Sequence, residues 1–74
     1  MTLADLELGS SSLILGFNSE GENVARLSQL GVIPGAQAQI LRAAPFGDPV
    51  QVRVEGTLLS IRKSDARFIQ VEQM

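Results

Sequence analysis

Apolar and polar residues alternate along the second half of the chain. From position 50 to 55 a valine stands at every second position, which is typical of a strand that buries one face. Positions 36–43 and 58–62 show the same period of two. Glycine and proline break the pattern at 45–49, and Gly56-Thr57 is the expected tight connection before the last segment. The pattern therefore predicts three consecutive antiparallel strands.

Short apolar runs near the two ends of the chain predict two further strands. The first run is Leu13–Phe17 and the last is Phe68–Glu72, and their patterns suggest that both phenylalanines belong to the core. Gly16 interrupts the first run, where a glycine can mark a bulge.

Between these strands a helix is predicted from about Glu20 to Leu30. Apolar residues recur there at intervals of three, which places them on one stripe of a helix: Val24, Leu27 and Leu30. Ser19 and Glu22 have the S-x-x-E spacing of a capping box. Gly31 suits the left-handed residue that ends a helix.

Two single helical turns complete the predicted elements. One lies around Asp5, with Thr2 as its N-cap, and the other covers Lys63–Arg67, with Ser64 or Asp65 near its cap. The predicted fold is mainly β: a small SH3-like barrel of about five antiparallel strands. One α-helix is inserted after the first strand and a one-turn helix precedes the last. At 74 residues, positions 1–74 are expected to form a single domain.

Composition removes several kinds of chemistry. Cysteine and histidine are absent, so disulfides, thiol nucleophiles and imidazole bases cannot be built. The formal net charge is −2, which disfavours nucleic acid as a partner. The first nine residues carry acids and no base, and no apolar run approaches the roughly 20 residues of a membrane span. We therefore expect a soluble, cytoplasmic protein without direct membrane insertion.

An enzymatic function has little support in the sequence. Ser12 or Ser60 would need Lys63 as a base, because it is the one lysine. Glycine-rich phosphate-binding motifs are absent. The acidic pair Glu20 and Glu22 is best interpreted as helix capping. We expect neither catalysis nor a cofactor.

Metal binding is left open only for a hard cation on carboxylates. Asp48, Asp65 or the Glu20/Glu22 pair would supply the oxygens. Solvated surface acids are the more ordinary interpretation, and no metal ligand is assigned.

Protein contact is the remaining class. Phe46 stands between Pro45 and Gly47 at a predicted hairpin tip, and three more apolar residues lie around the helix end. The candidate partner-binding residues are Leu30, Val32, Ile33 and Phe46. The alternative is that Val32 and Ile33 pack on the barrel end and that Phe46 folds back. Recognition of proline-rich peptides is disfavoured, because tryptophan and tyrosine are absent.

The turn segments also carry a family resemblance. Leu30-Gly31-Val32, Pro34-Gly35 and the run Ala44-Pro45-Phe46-Gly47-Asp48-Pro49 are followed by Leu58-Leu59-Ser60-Ile61-Arg62-Lys63. In this order they resemble the bacterial ferrous iron transport protein A (FeoA) family, and the likeness covers nearly the whole chain.

The resemblance implies a cytoplasmic SH3-like accessory protein of ferrous iron uptake. Such a protein is expected to bind the cytoplasmic part of the membrane GTPase and iron transporter, ferrous iron transport protein B, and to modulate its activity. Through that partner it would sit at the inner face of the plasma membrane. Transport and GTP hydrolysis are not expected of the accessory protein itself, and a homo-oligomer is left open.

A second family with the same fold gives an alternative. The C-terminal SH3-like domain of metal-dependent repressors is similar, so the chain could instead be a metal- or anion-sensing module. The repressors attach that domain to a DNA-binding helix-turn-helix and a dimerisation domain, and this chain carries neither. The accessory protein is therefore the favoured prediction.

Overall fold

A computed structural model describes the backbone of residues 1–19 and 22–74. A 3₁₀ turn at Leu3–Asp5 is followed by β1 (Ser11–Phe17), α1 (Glu22–Gln29), β2 (Gln37–Ala43), β3 (Val50–Val54), β4 (Thr57–Ile61), α2 (Lys63–Ala66) and β5 (Ile69–Gln73). The predicted helix start at Glu20 and the Ser19–Glu22 capping box lie outside the described residues and side chains.

The five strands form one antiparallel sheet in the order β4-β3-β2-β1-β5. This confirms the predicted fold class, a mainly β, SH3-like barrel with two helices. The sheet does not close fully, because β4 and β5 stand at its two ends. The N-terminal segment runs along β5, where the Val71 N–H donates to the Met1 carbonyl at 3.1 Å and Thr2 forms a bridge with Gln70.

The inner side of the sheet encloses one cluster of aliphatic side chains. Along β3 the valines are buried and the residues between them are not, as the alternation predicts. Leu27 of α1 joins the core, whereas Leu30 at the end of the same stripe is 48% exposed. Phe17 packs partly buried against the core. Phe68 is 40% exposed, so its assignment to the core is wrong.

Two glycines meet conformational needs of the sheet. The β1–β5 register shifts between Ile14 and Gly16, which confirms the predicted bulge. The β3–β4 connection is Glu55-Gly56 rather than Gly56-Thr57, since Thr57 already pairs with Val54. Both turn residues have positive φ, 48° and 86°, as a two-residue hairpin of this twist requires. Glu55 occupies the first turn position, and its Oε1 accepts a hydrogen bond from the Gln37 N–H at 2.7 Å.

The two short helical turns differ in how they begin. The Asp5 carboxylate accepts the Thr2 N–H at 2.8 Å, so the predicted N-terminal turn is confirmed. At α2 the N-cap residue is Arg62, with no side-chain cap of its own. The predicted caps, Ser64 and Asp65, lie inside the turn and not at its start. The Asp65 side chain faces α1, where its Oδ1 accepts a hydrogen bond from Asn23.

Substituting Gly56→Ala should lower the free energy of unfolding by about 1–2 kcal/mol. No atom lies within 4 Å of the added Cβ, so the loss comes from the backbone, which an L side chain disfavours at φ 86°. Urea unfolding followed by circular dichroism measures it. Thr57→Ala, next to the turn, is the control and should stay within about 0.5 kcal/mol of the parent. Equal stability of Gly56→Ala and the parent would show that the turn conformation is wrong.

Candidate functional site

Phe46 lies at the tip of the connection between β2 and β3 and is 99% exposed. The loop beneath it is closed by two backbone hydrogen bonds. The Ala44 N–H donates to the Pro49 carbonyl at 2.9 Å, and the Gly47 N–H donates to the Ala44 carbonyl at 2.7 Å. The ring therefore points outward, which decides between the two alternatives left open for Phe46.

Asp48 fixes this loop to the rest of the fold. Its Oδ1 accepts the backbone N–H of Lys63 at 2.9 Å, which is the first N–H of α2 and has no partner inside the helix. The side chain of Lys63 also approaches the loop, since its Nζ lies 3.5 Å from the position of a Cβ on Gly47. The loop that carries Phe46 is thus tied at its base to α2.

An open, largely apolar cleft of about 300 Å³ adjoins the same loop. One wall is the N-terminal segment and the other is the barrel, with Gly47 at the border: Leu3, Leu6, Leu8, Ala43, Val50 and Gly47. Leu8 is 62% exposed at its mouth. We name Phe46 together with this cleft the loop surface. It combines an exposed aromatic ring and an apolar depression, which is the usual form of a protein contact.

The other candidate residues lie at the opposite end of β2. Leu30 and Ile33 are 48% and 49% exposed, and they precede β2, whereas Phe46 follows it. Seven residues of strand separate them, which corresponds to about 20 Å. We name Leu30 and Ile33 the helix-end surface, and it is separate from the loop surface.

Val32 is fully buried in the core. Its N–H donates to the Leu27 carbonyl at 3.0 Å, so the chain turns inward directly after Gly31, whose φ is 105°. Its side chain packs on the barrel end, as one of the alternatives stated, and a partner cannot reach it in the folded protein.

Asp65 joins the two helices, a role that the sequence pattern did not reveal. It is 4% exposed, and its two oxygens accept hydrogen bonds from α1. The donors are Asn23 Nδ2 at 3.0 Å and Arg26 Nη2 at 3.3 Å. This carboxylate joins the two helices across about forty positions of sequence, a distance that no local pattern reports.

The described residues contain no group of three or more carboxylates that could hold a metal ion. The carboxylates of Asp48 and Asp65 already accept hydrogen bonds from other residues of the protein. Glu20 and the side chain of Glu22 lie outside the described residues. The Ser12 hydroxyl is buried and donates to the Ala38 carbonyl at 3.4 Å. Among the described helices, none has the length and apolar character needed to cross a bilayer.

Comparison with known proteins gives a consistent family match. The model of the FeoA domain matches residues 1–73. A protein of Porphyromonas gingivalis, an Fe(2+) transport protein A/Fe(2+) transporter FeoB fusion, is 31% identical over 72 residues. The match covers 97% of this chain and 8% of that protein, so the chain corresponds to a small part of the fusion.

Solved structures of similar sequence have the same fold. The FeoA protein of Chlorobium tepidum superposes with a TM-score of 0.93 at 35% identity, covering 100% of this chain and 70% of that one. The FeoA of Stenotrophomonas maltophilia, a prokaryotic SH3-domain protein complexed with zinc, gives a TM-score of 0.82 at 30% identity. It covers 97% of this chain and 89% of that one.

Substituting Asp65→Ala should lower the free energy of unfolding by about 2 kcal/mol, because donors from α1 lose their shared acceptor. Arg26→Ala should cost less than about 1 kcal/mol, since a salt bridge whose Arg26 side chain is 61% exposed is screened by water. Urea unfolding of both variants measures the difference. Losses of equal size would contradict the assignment of Asp65 as the anchor of α1.

Proposed function

The chain belongs to the FeoA family, and on that premise we propose that it is an accessory protein of ferrous iron uptake. It binds the cytoplasmic part of ferrous iron transport protein B and modulates the activity of that transporter. It works in the cytoplasm, at the inner face of the plasma membrane when bound. Its contribution is binding rather than catalysis.

The observation that carries the proposal is the loop surface. Phe46 is 99% exposed, and burial of such a side chain in a partner gains about 1.5–3 kcal/mol. The loop is closed by its own hydrogen bonds and tied to α2 by Asp48. Because the ring is already held outward, binding orders little of the chain and loses less entropy.

The cleft beside Phe46 gives the contact two complementary parts. The ring inserts into the partner, while an apolar side chain of the partner fills the space between Leu6, Leu8 and Val50. An aromatic residue next to a pocket is the arrangement in which binding energy concentrates. The exposed leucine and isoleucine of the helix-end surface make a separate, weaker contact.

The Porphyromonas gingivalis fusion supports the choice of partner. There an FeoA sequence and an FeoB transporter share one polypeptide, which holds the two at a high effective concentration. In the proposed complex the FeoA part contacts the transporter through a surface of its own. The loop surface is where we place that affinity.

Substituting Phe46→Asp should weaken binding to the GTPase-containing cytoplasmic domain of the transporter at least about tenfold, which corresponds to 1.4 kcal/mol. The ring makes no contribution to the core, so stability should not change. Isothermal titration calorimetry measures the affinity. The rate of GTP hydrolysis with and without the protein measures modulation.

Leu15→Asp is the matched control, because Leu15 is also an exposed apolar residue, 50% accessible on β1. It should bind as the parent does. The proposal fails if the parent protein does not bind the folded domain. If Phe46→Asp binds as tightly as the parent, or Leu15→Asp loses as much, the loop surface is not the contact.

A further inference from the structure

The two end strands of the sheet are treated differently. The outer edge of β5 is lined by the N-terminal segment, through the Met1 carbonyl and the Thr2–Gln70 bridge. β4 pairs with β3 on one side. On its other side, no strand of the described chain is hydrogen-bonded to it.

The register identifies the backbone groups on this free edge. Val54 and Thr57 close a two-residue turn and therefore form a hydrogen-bonded pair. Because bonded and non-bonded pairs alternate along an antiparallel ladder, Leu59 is bonded to β3 while Leu58 and Ser60 are not. The N–H and C=O groups of Leu58 and Ser60 point outward, and no described residue bonds to them.

Nothing in β4 protects this edge from pairing. Natural edge strands are commonly blocked by a charge, a proline or a bulge. The strand Thr57–Ile61 contains no charged residue or proline, and its register with β3 has no shift. Leu58 is 59% exposed on the outer face. The edge is therefore ready to accept another strand.

Arginines on β3, on β2 and directly after β4 lie on the same face of the sheet as Leu58. Arg53 lies directly across from Leu58. Arg42 is paired with Gln51, whose Oε1 accepts its Nε–H at 2.6 Å. Arg62 follows β4 in extended conformation, so it continues the outer face. The ion pair among the described residues joins Arg26 and Asp65, which leaves these three arginines without a carboxylate partner there.

We propose that β4 binds an extended, acidic segment of a partner protein as a sixth strand of the sheet. Its backbone bonds to Leu58 and Ser60, an apolar residue packs on Leu58, and its acidic residues face Arg62 and Arg53. This mode of binding uses main-chain bonds for affinity and side chains for selection. A second copy of the chain fits less well, because β4 pairing would bring two basic faces together.

The surface is independent of the proposed function, since it uses neither Phe46 nor the cleft. A test therefore needs only the protein and a probe peptide. The probe is a short capped peptide in which glutamate and valine take turns at every second position with threonine between them, so that both lie on one face of the added strand. The control peptide has lysine in place of each glutamate. Amide chemical shifts in NMR titrations report the site, and amide hydrogen exchange reports new backbone bonds.

The glutamate peptide should shift the amides of β4 in a saturable manner and slow exchange at Leu58 and Ser60. Ser60→Pro should weaken binding at least about tenfold, because proline removes an outward N–H and leaves the β3 ladder intact. Ser60→Ala and Phe46→Asp should bind as the parent does. Leu58→Glu, which keeps every backbone group but adds a charge of the same sign as the glutamate peptide, should also weaken binding and covers the case in which Ser60→Pro does not fold.

Several results would overturn the proposal. One is the absence of binding at millimolar peptide, and another is equal binding of the lysine peptide. Shifts confined to the loop surface, or undiminished binding by Leu58→Glu, would place the site elsewhere. Concentration-dependent dimerisation that Ser60→Pro abolishes would replace the acidic segment with a second copy as the occupant of β4.

Discussion

Burial of one aliphatic cluster is the constraint on which the whole fold depends. The chain has no cysteine and no histidine, so neither a disulfide nor a thiolate or imidazole metal site can reinforce a domain of 74 residues. The strands must therefore curve around the cluster, and other parts of the chain complete its cover. The N-terminal segment lines the edge of β5, and the Asp65 carboxylate fastens α1 to α2.

Because the core takes up most of the apolar side chains, those that remain exposed to solvent call for an explanation. Single exposed leucines are ordinary on a protein surface, and Leu15 and Phe68 need no further account. Phe46 is different, because a loop with its own hydrogen bonds and an aspartate anchor holds a complete aromatic ring in water. Leu58 is different as well, because it lies beside unpaired backbone groups. A small domain thus presents two surfaces of distinct chemistry, one apolar and one basic with a free strand edge.

Local patterns predicted the parts of the fold that local physics determines. The alternating valines of β3 predict which face of the strand is buried, and Gly16 predicts a bulge. Both features depend only on residues that are close in sequence. The predicted position of the β3–β4 turn was off by one residue, because glutamate at positive φ is uncommon. Its conformation is accompanied by a hydrogen bond to Gln37, which the sequence does not show.

The candidate site was predicted less completely for the same reason. Phe46 was identified from its proline and glycine neighbours, but its outward direction depends on Asp48 and on the start of α2, fifteen positions later. Val32 and Ile33 are adjacent, and only the three-dimensional path after Gly31 places one inside and the other outside. Asp65 was predicted near a helix cap, and its role as the acceptor for α1 was missed because its partners lie on another helix. Long-range contacts of this kind become visible only in the folded structure.

We propose that Phe46 touches the transporter in the cell. A photo-crosslinking phenylalanine analogue at position 46, with the same analogue at position 15 as the reference, tests it most directly. An ultraviolet-dependent adduct with the ferrous iron transporter is expected from position 46 and none from position 15. Adducts of equal yield from both positions, or none from position 46 while iron uptake remains normal, would contradict it.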